Sequence, residues 1–289
     1  MANENKIIKT NRGDLNYNKK TLIMGILNLT PDSFSDGGEY NDLDSAVERA
    51  VEIEEAGADI IDIGAESSRP GSERISEEEE IKRLIPILER IVEVTSIPIS
   101  IDTYKSSVAE EALENGASII NDISGLHYDR NMAAAAAKYS APVVIMHIQG
   151  RPETMQENPN YQNLLFEIKK YIWDGIQLAR EAGISEEQII IDPGIGFGKK
   201  QIHNLQILNR LESFEELGYP ILIGTSRKSL IKYVNEDEVD DRLFGTAATA
   251  SASILRGANI LRVHDVKEIK KVALMTDAVK WEGKHAEHR

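Results

Sequence analysis

Short apolar runs alternate along the chain with longer segments in which apolar residues recur every three or four positions. Spacings of three and four predict amphipathic helices, whereas short and nearly continuous apolar runs are typical of parallel strands that are buried on both faces. Eight runs are of the strand type, and they read "TLIMGILNL", "DIIDIGAES", "IPISIDTY", "SIINDISG", "APVVIMHI", "QIIIDPG", "YPILIGTS" and "NILRVHD". The alternation predicts a strand–helix unit that is repeated along the whole chain.

Glycines mark the boundaries between these units. The phrases "EAGADII", "ENGASII" and "EAGISEEQIII" each join the end of a helical segment to a glycine and then to the next strand. Glycine is favoured directly after a helix because it adopts the left-handed backbone conformation without steric cost. The average unit has roughly 36 residues, which suits a fold in which ~250 residues form eight such units.

These observations predict an α/β fold, namely a single (β/α)₈ TIM barrel with a short N-terminal extension. We place the extension or hairpin at 1–20, the barrel at 21–280 and a flexible C-terminal tail at 281–289. An open doubly wound sheet is the alternative architecture. It is disfavoured because a glycine-rich turn is expected after its first strand, and the chain has "GILNLTPDSF" there.

The composition limits the possible partners and compartments. The formal net charge is −15, from 33 Lys and Arg against 48 Asp and Glu. Such a charge argues against a nucleic-acid partner and against an anionic membrane surface, since both require a basic face. The 289 residues include no cysteine, which excludes disulfides and thiolate chemistry. Because the start "MANENKIIKT" also lacks an apolar signal region, we expect a cytoplasmic protein.

Every predicted strand ends in polar residues, and in a (β/α)₈ barrel these ends form the mouth where substrates bind. One set of them consists of carboxylates and an amide, which suit the N–H groups of a flat heterocycle. Its members are Asp102, Asn121 and Asp192. A second set is cationic and suits a phosphate or diphosphate. Its members are Arg69, Lys228, Arg262 and His264.

Three further residues belong to the same predicted mouth. Ser229 begins the helical segment after the seventh strand, where free backbone N–H groups can bind anions. Phe197 lies in the glycine-rich stretch "DPGIGFGK" and is suited to cover the face of a ring. His147 ends the fifth strand, and its position is compatible both with hydrogen bonding in the core and with lining the pocket.

The strand-end sequences resemble those of the dihydropteroate synthase family of folate biosynthesis. In chain order they are "GILNLTPDSFSDGG", "GAESSRPG", "SIDTYKS", "NDISG", "MHIQGRPETMQ", "DPGIGFGK", "GTSRKS" and "LRVHD", and they cover residues 25 to 265. The resemblance implies a TIM-barrel transferase that uses Mg²⁺, forms a homodimer and is a target of sulfonamides. The implied reaction condenses 6-hydroxymethyl-7,8-dihydropterin diphosphate with p-aminobenzoate to give 7,8-dihydropteroate and diphosphate.

The resemblance also implies roles for individual residues. The implied pterin-binding positions are Asp102, Asn121, Met146, Asp192 and Lys228. Asp102, Asp192 and Lys228 are the expected catalytic residues. The diphosphate contacts are Asn28, Arg262 and His264, and Asn28 is also the expected Mg²⁺ ligand. The positions around p-aminobenzoate and the mobile loops are Ser68, Arg69, Pro70, Phe197 and Ser229.

Asp102 and Asp192 are expected to stabilise the positive charge that develops on the pterin ring as diphosphate leaves. Two other functions stand as alternatives. A pterin-binding methyltransferase would need no diphosphate site, and a non-catalytic pterin-binding paralogue would lack some of the polar residues. The chain departs from the family pattern at Ser68, where threonine is usual, and at Ala65, where glycine is frequent.

Overall fold

A computed structural model describes residues 6–29, 39–67, 71–72 and 74–284 of the protein. The strands are β1 (Ile7–Thr10), β2 (Gly13–Asn16), β3 (Leu22–Asn28), β4 (Ile60–Gly64), β5 (Ile99–Asp102), β6 (Ile119–Asp122), β7 (Val143–Met146), β8 (Ile189–Asp192), β9 (Leu222–Ile223) and β10 (Ile260–Val263). The α-helices are α1 (Glu39–Glu55), α2 (Glu77–Val94), α3 (Ser106–Glu114), α4 (Met132–Lys138), α5 (Leu164–Glu181), α6 (Gln201–Asn209), α7 (Ser229–Asn235), α8 (Leu243–Leu255) and α9 (Val266–Lys280).

Eight of the strands form one parallel sheet that closes on itself. Their order is β8-β7-β6-β5-β4-β3-β10-β9. A parallel bridge between Ile191 of β8 and Ile221, the residue before β9, joins the two ends of this order. Helices follow the strands and cover the outside of the ring. The predicted (β/α)₈ barrel is therefore confirmed.

The inside of the barrel is filled by side chains that alternate along each strand. These residues form one buried apolar cluster with three residues of the N-terminal segment. The strand members are Leu22, Met24, Ile60, Ile119, Val144, Ile190, Leu222 and Ile260, and the N-terminal members are Ile8, Leu15 and Tyr17. The antiparallel hairpin of β1 and β2 therefore packs against the N-terminal ends of the strands. Burial of one such aliphatic side chain contributes about 1.5–3 kcal/mol to stability.

A second and larger apolar cluster lies between the strands and the helices. Its strand members are the outward-facing residues, such as Ile61, Ile120 and Ile191. Helix α1 approaches β3 so closely that a β-carbon on Gly25 would collide with Ile53. Only glycine fits at this point of β3, because the helix and the strand share the space that a side chain would take.

Helix boundaries follow local signals in the sequence. Helix α2 begins after Ser76, whose side chain accepts a hydrogen bond from the Glu79 N–H. The glutamates of its first turn face the positive end of the helix dipole. None of the helices in the described ranges is long and apolar enough to cross a membrane. The limits proposed at 20 and 280 stay predictions, and residues 285–289 of the predicted tail lie outside the described residues.

Candidate active site

The inward-facing residues of the barrel change from apolar to polar toward the C-terminal strand ends. On four strands a polar residue follows two positions after an inward isoleucine: Asp62 after Ile60, Asn121 after Ile119, Asp192 after Ile190 and Arg262 after Ile260. Because strand side chains alternate, each polar residue faces inward like its isoleucine and lies one layer nearer the mouth. The same alternation places Met146 above Val144 on β7 and Asp102 at the end of β5.

Arg262 is the centre of the polar layer. Its Nε donates to Asp62 Oδ2 at 2.6 Å, and its terminal NH2 group donates to Asp102 Oδ2 at 2.7 Å. Asn121 Nδ2 donates to Asp62 Oδ2 at 3.2 Å from the other side. The acidic set and the cationic set that the sequence suggests are therefore in direct contact at this point, and each supplies part of one network.

Burial determines the charge state of the carboxyl groups in this layer. It raises the pKa of Asp102 to about 7, with Asp62 acting in the same direction and Arg262 opposing. Burial also raises the pKa of Asp192, and this shift is opposed mainly by Lys228 and by the hydrogen bond from the Gly194 N–H. A ligand bound beside these two carboxyl groups would therefore be stabilised by any positive charge that it carries.

Lys228 and Phe197 meet on the β8–β9 side of the mouth. The Lys228 ammonium donates to the carbonyl of Ile195 and lies 4.9 Å from the centre of the Phe197 ring. Burial lowers the pKa of Lys228 to about 8, while Asp192 opposes this shift. Lys228 is thus a cation that is partly desolvated and close to the carboxylate of Asp192.

An apolar wall completes this side of the mouth. It is a cluster formed by Tyr104, Ile123, Met146, Ile148 and Met155, with Phe197 packed against it. Aromatic and methionine side chains adapt to flat ring systems and exclude water from them. A flat ligand therefore finds polar edges on the carboxylates and Asn121, and an apolar face here.

Asp62 is the central residue that the sequence analysis missed. It is fully buried and contacts both Arg262 and Asn121. Asp62 does not end a strand, because it lies inside β4 with two residues of the strand still to come. A signal was present, because an acidic residue inside an apolar strand is costly unless it is paired.

The predicted diphosphate contacts lie at neighbouring strand ends. The Nδ1 of His264 is 3.0 Å from Ser226 Oγ, which ties the end of β10 to the segment after β9. Arg227, between Ser226 and Lys228, pairs with Asp265 through its Nε at 3.1 Å. Asn28 ends β3 beside Gly64 of β4, on the inward side given by Leu22 and Met24.

The family described as pterin binding enzymes matches residues 24–264. A dihydropteroate synthase of Bacillus subtilis is 49% identical over 280 residues, which cover 97% of this chain and 96% of that protein. A dihydropteroate synthase of Clostridium beijerinckii is 50% identical over 273 residues, which cover 94% and 99%. The chain belongs to the dihydropteroate synthase family.

Solved structures of the dihydropteroate synthase family agree with this. A Clostridium difficile enzyme described in the presence of pteroic acid superposes with a TM-score of 0.87 at 48% identity, over 92% of this chain and 98% of that chain. A Xanthomonas albilineans enzyme with 4-aminobenzoic acid superposes with a TM-score of 0.89 at 37% identity, over 96% and 98%. The prediction of a dihydropteroate synthase, an enzyme of the transferase class, is confirmed.

Some residues that the dihydropteroate synthase resemblance implies are not part of the assembled layer. Ser68, Arg69 and Pro70 lie outside the described residues. Ser229 begins α7, is exposed and accepts a hydrogen bond from Gln201 Nε2 at 3.1 Å. His147, which the sequence places at a strand end with two roles open, is buried with its Nδ1 2.7 Å from Lys199 Nζ, and this favours hydrogen bonding in the core over pocket lining.

A buried ion network lies next to Tyr104 of the apolar wall. The Lys105 ammonium contacts Glu66 Oε2 and Glu80 Oε2, each at 2.6 Å, and the carbonyl of Ile75 at 2.8 Å. Tyr104 of the wall donates to the other oxygen of Glu66. The network therefore joins Glu66, just after β4, to Ile75, just before α2, and both to Lys105, which follows β5.

Proposed function

We propose that the condensation of the pterin diphosphate with p-aminobenzoate takes place at this mouth, with the polar layer as the pterin site. The observation that carries the proposal is the inward-facing layer that contains Asp102, Asn121 and Asp192, in which Arg262 contacts Asp102, beside the apolar wall. Carboxylates accept paired N–H bonds from an aminopyrimidine ring, and the wall with Met146 suits the ring face. Lys228, next to Asp192, is suited to donate to a ring carbonyl oxygen.

The diphosphate is assigned to the neighbouring strand ends. Asn28 and Arg262 belong to the adjacent strands β3 and β10, and His264 directly follows β10, so one group bound above them is within reach of all three. Arg262 already has two carboxylate partners, and its single charge is therefore shared. His264 and the amide of Asn28 supply the remaining contacts in this assignment.

In this assignment Asn28 would hold Mg²⁺ next to the diphosphate. The described ranges contain no group of three or more His, Cys, Asp or Glu side chains arranged to hold a metal ion. This fits an ion bound mainly by substrate oxygens and water, as Mg²⁺ is in many phosphate-handling enzymes, with the amide oxygen of Asn28 as a protein ligand. When bound, Mg²⁺ neutralises charge on the departing diphosphate.

The chemical step needs little proton transfer from the protein. The bond between the pterin CH₂ carbon and the diphosphate oxygen breaks, and diphosphate leaves with the electron pair. The amine nitrogen of p-aminobenzoate forms the new bond to that carbon and then loses one proton to solvent. Asp102 and Asp192 stabilise the positive charge on the pterin between these events. Phe197 and Ser229 are assigned to the p-aminobenzoate side, with Ser68, Arg69 and Pro70.

The first experiment is a coupled assay on the purified protein. It is incubated with the pterin diphosphate, p-aminobenzoate and Mg²⁺, and diphosphate and 7,8-dihydropteroate are measured by mass. Both products should appear together, should require both substrates, and should disappear with a chelator and return with added Mg²⁺. Tight pterin binding without product would favour the non-catalytic paralogue instead.

We also propose a homodimer formed through α8 and α9. These helices lie side by side, with Thr276 Oγ1 3.1 Å from Ser251 Oγ. Each exposes large apolar side chains: Phe244 is 83% and Leu255 50% exposed on α8, and Met275 is 67% and Val279 61% exposed on α9. Apolar groups gathered on one face mark an interaction surface.

A cytoplasmic location is proposed as well, supported by the absence of cysteine from the sequence.

Light scattering after size-exclusion chromatography tests the dimer. Phe244→Glu combined with Met275→Glu should give a monomer at concentrations where the unaltered protein has twice the mass. Phe166→Glu is the matched control, because Phe166 is exposed to 61% on the distant helix α5. A monomer in the unaltered protein, or a dimer in the double variant, would rule out this interface.

A further inference from the structure

Lys199 is among the largest fully buried side chains in the described residues, and the reaction has no direct use for its charge. It lies in the segment between β8 and α6 that also carries Ile195 and Phe197. Its ammonium is 2.7 Å from His147 Nδ1, 2.9 Å from the carbonyl of Phe197 and 3.3 Å from the carbonyl of His147. These partners are one imidazole nitrogen and two carbonyl oxygens, and the carboxylate that acts on the charge, Asp192, does so without a direct contact among them.

Three acceptors match the three N–H donors of an ammonium group. Two nitrogens 2.7 Å apart must also share one hydrogen, so Lys199 and His147 form a true hydrogen bond. Burial of an ammonium is expensive, and it lowers the pKa of Lys199 well below its ordinary value. An aliphatic residue of similar volume would avoid this cost, so the ammonium is retained for what it holds in place.

The β8–α6 segment lies directly on the residues that follow β7. Gly194 and Gly198 have φ values of +71° and +62°, and a β-carbon on either would collide with the backbone carbonyl of His147 or Gln149. At these two glycines the backbones of the segments lie directly against each other, and the apolar contact is that of Phe197 with the cluster of Met146, Ile148 and Met155. Lys199 adds a polar link, because its ammonium joins the carbonyl of Phe197 to His147.

The upper side of the same segment faces the mouth. The carbonyl of Ile195 accepts the hydrogen bond from Lys228, and the Phe197 ring lies against the Lys228 ammonium. A β-carbon on Gly196 would stand 3.4 Å from Lys228 Cδ, so the Lys228 side chain passes directly beside this glycine. Any movement of this segment therefore moves Phe197 and removes the acceptor of Lys228.

We propose that Lys199 is a positioning residue for the condensation. Its ammonium, on the side of the β8–α6 segment that faces away from the mouth, holds the Phe197 ring and the Ile195 carbonyl in position against Lys228. The proposal rests on the assignment of Phe197 to the p-aminobenzoate side and of Lys228 to the pterin side. Loss of the ammonium then loosens Phe197 most, because Asp102, Asn121 and Asp192 continue to hold the pterin.

The test compares Lys199→Met with Lys200→Met. Methionine keeps the chain length and removes the donors, and Lys200 is the exposed neighbour that receives the same change. Lys199→Met should raise the KM for p-aminobenzoate at least tenfold and the KM for the pterin diphosphate much less, whereas Lys200→Met should leave both unchanged. Equal changes in both KM values, or none, in a folded Lys199→Met protein would overturn the proposal.

A second readout does not depend on turnover. Phe197 is replaced by 4-fluorophenylalanine, and its ¹⁹F signal is recorded in the unaltered, Lys199→Met and Lys200→Met backgrounds. The ¹⁹F signal should be a single line in the unaltered protein and in Lys200→Met, and it should shift or split in Lys199→Met. An unchanged line in Lys199→Met contradicts the proposal even if the assay gives no product. Lys199→Gln replaces Lys199→Met if the latter does not fold. It should change the KM ratio by a smaller factor, and an unchanged ratio counts against the proposal.

Chemical rescue separates the ammonium from the volume that it fills. Lys199→Ala leaves room for a small molecule, and propylamine should lower the KM for p-aminobenzoate toward the unaltered value. Propanol has a similar size but carries no ammonium, and it should not do so. Equal rescue by both would show that Lys199 only fills space, and the positioning role would be wrong.

Discussion

The guanidinium of Arg262 contacts Asp102 across the barrel mouth, with a terminal nitrogen 2.7 Å from Asp102 Oδ2. The Nε of the same guanidinium contacts Asp62 at 2.6 Å. One positive charge therefore serves two carboxylates. Burial is the main cause of the raised pKa of Asp102, Arg262 opposes it, and the negative charge of Asp62 adds to it. A pterin that becomes positively charged during the reaction would restore the balance, which connects the electrostatics of the layer with the proposed step.

Asp62→Asn should impair the reaction although Asp62 is not among the residues that the resemblance implies. The change removes the charge that orients Arg262 and alters the hydrogen bond from Asn121. We expect kcat/KM to fall about 100-fold, which corresponds to ~2.7 kcal/mol of transition-state stabilisation. Asp44→Asn, on the exposed side of α1, is the control. Normal kcat/KM in Asp62→Asn would show that Arg262 is positioned without it.

Asp102→Asn tests whether charge or hydrogen bonding is the main contribution at this position. Asparagine keeps an acceptor oxygen but cannot stabilise a cationic pterin. We expect kcat to fall about 100-fold or more, while the pterin Kd from calorimetry changes less than tenfold. Unchanged kcat with intact pterin binding would exclude charge stabilisation by Asp102.

The pH dependence follows from Asp102 and Lys228. The pKa of Asp102 is raised to about 7 and that of Lys228 is lowered to about 8. The proposed roles need Asp102 ionised and Lys228 protonated, so kcat/KM should rise with pH through the first value and decline through the second. Because both groups interact through Asp192 and Arg262, the apparent values belong to the site as a whole.

Lys228→Arg separates the two limbs of this profile. A guanidinium stays protonated throughout the range, so the alkaline decline should disappear and the acidic limb should remain, at a lower maximum rate. The measurement is kcat/KM from pH 5.5 to about 9.5 at constant ionic strength. If the alkaline decline persists in the variant, another group is responsible for it.

Lys105→Met should destabilise the fold strongly. It leaves the carboxyl groups of Glu66 and Glu80 buried without their cation, and such losses cost about 3–5 kcal/mol. Burial raises the pKa of Glu80, and Lys105 opposes that shift, so the unpaired Glu80 should take up a proton. Urea unfolding measures the effect, with the exposed Lys82→Met on α2 as control.

The double variant Lys105→Met, Glu80→Gln refines this prediction. It removes one of the two carboxylates together with the cation, so it should be more stable than Lys105→Met alone. A double variant that is less stable than the single one would mean that Glu80 contributes through a contact other than the ion network.

Much of the barrel was predictable because its determinants are local. Apolar runs, helical spacing and glycine boundaries indicated eight strand–helix units, and the sheet contains all eight predicted strands. Asp102, Asn121 and Asp192 were placed at the mouth by two local facts, their position at the end of a run and the alternation of strand side chains. The ordered strand-end sequences also identified the family before any geometry was known.

Only the tertiary structure decided which of these residues meet. Arg262 is 160 positions from Asp102 and 200 from Asp62, and their contact depends on how strands pair around the closed barrel. Arg262 was expected among the phosphate-binding cations because charge alone does not reveal a partner. Asp62 and Lys199 were not expected in the site, since their partners Arg262 and His147 lie far away along the chain. A buried charge is recognised by the partners around it, and those partners come together only when the chain has folded.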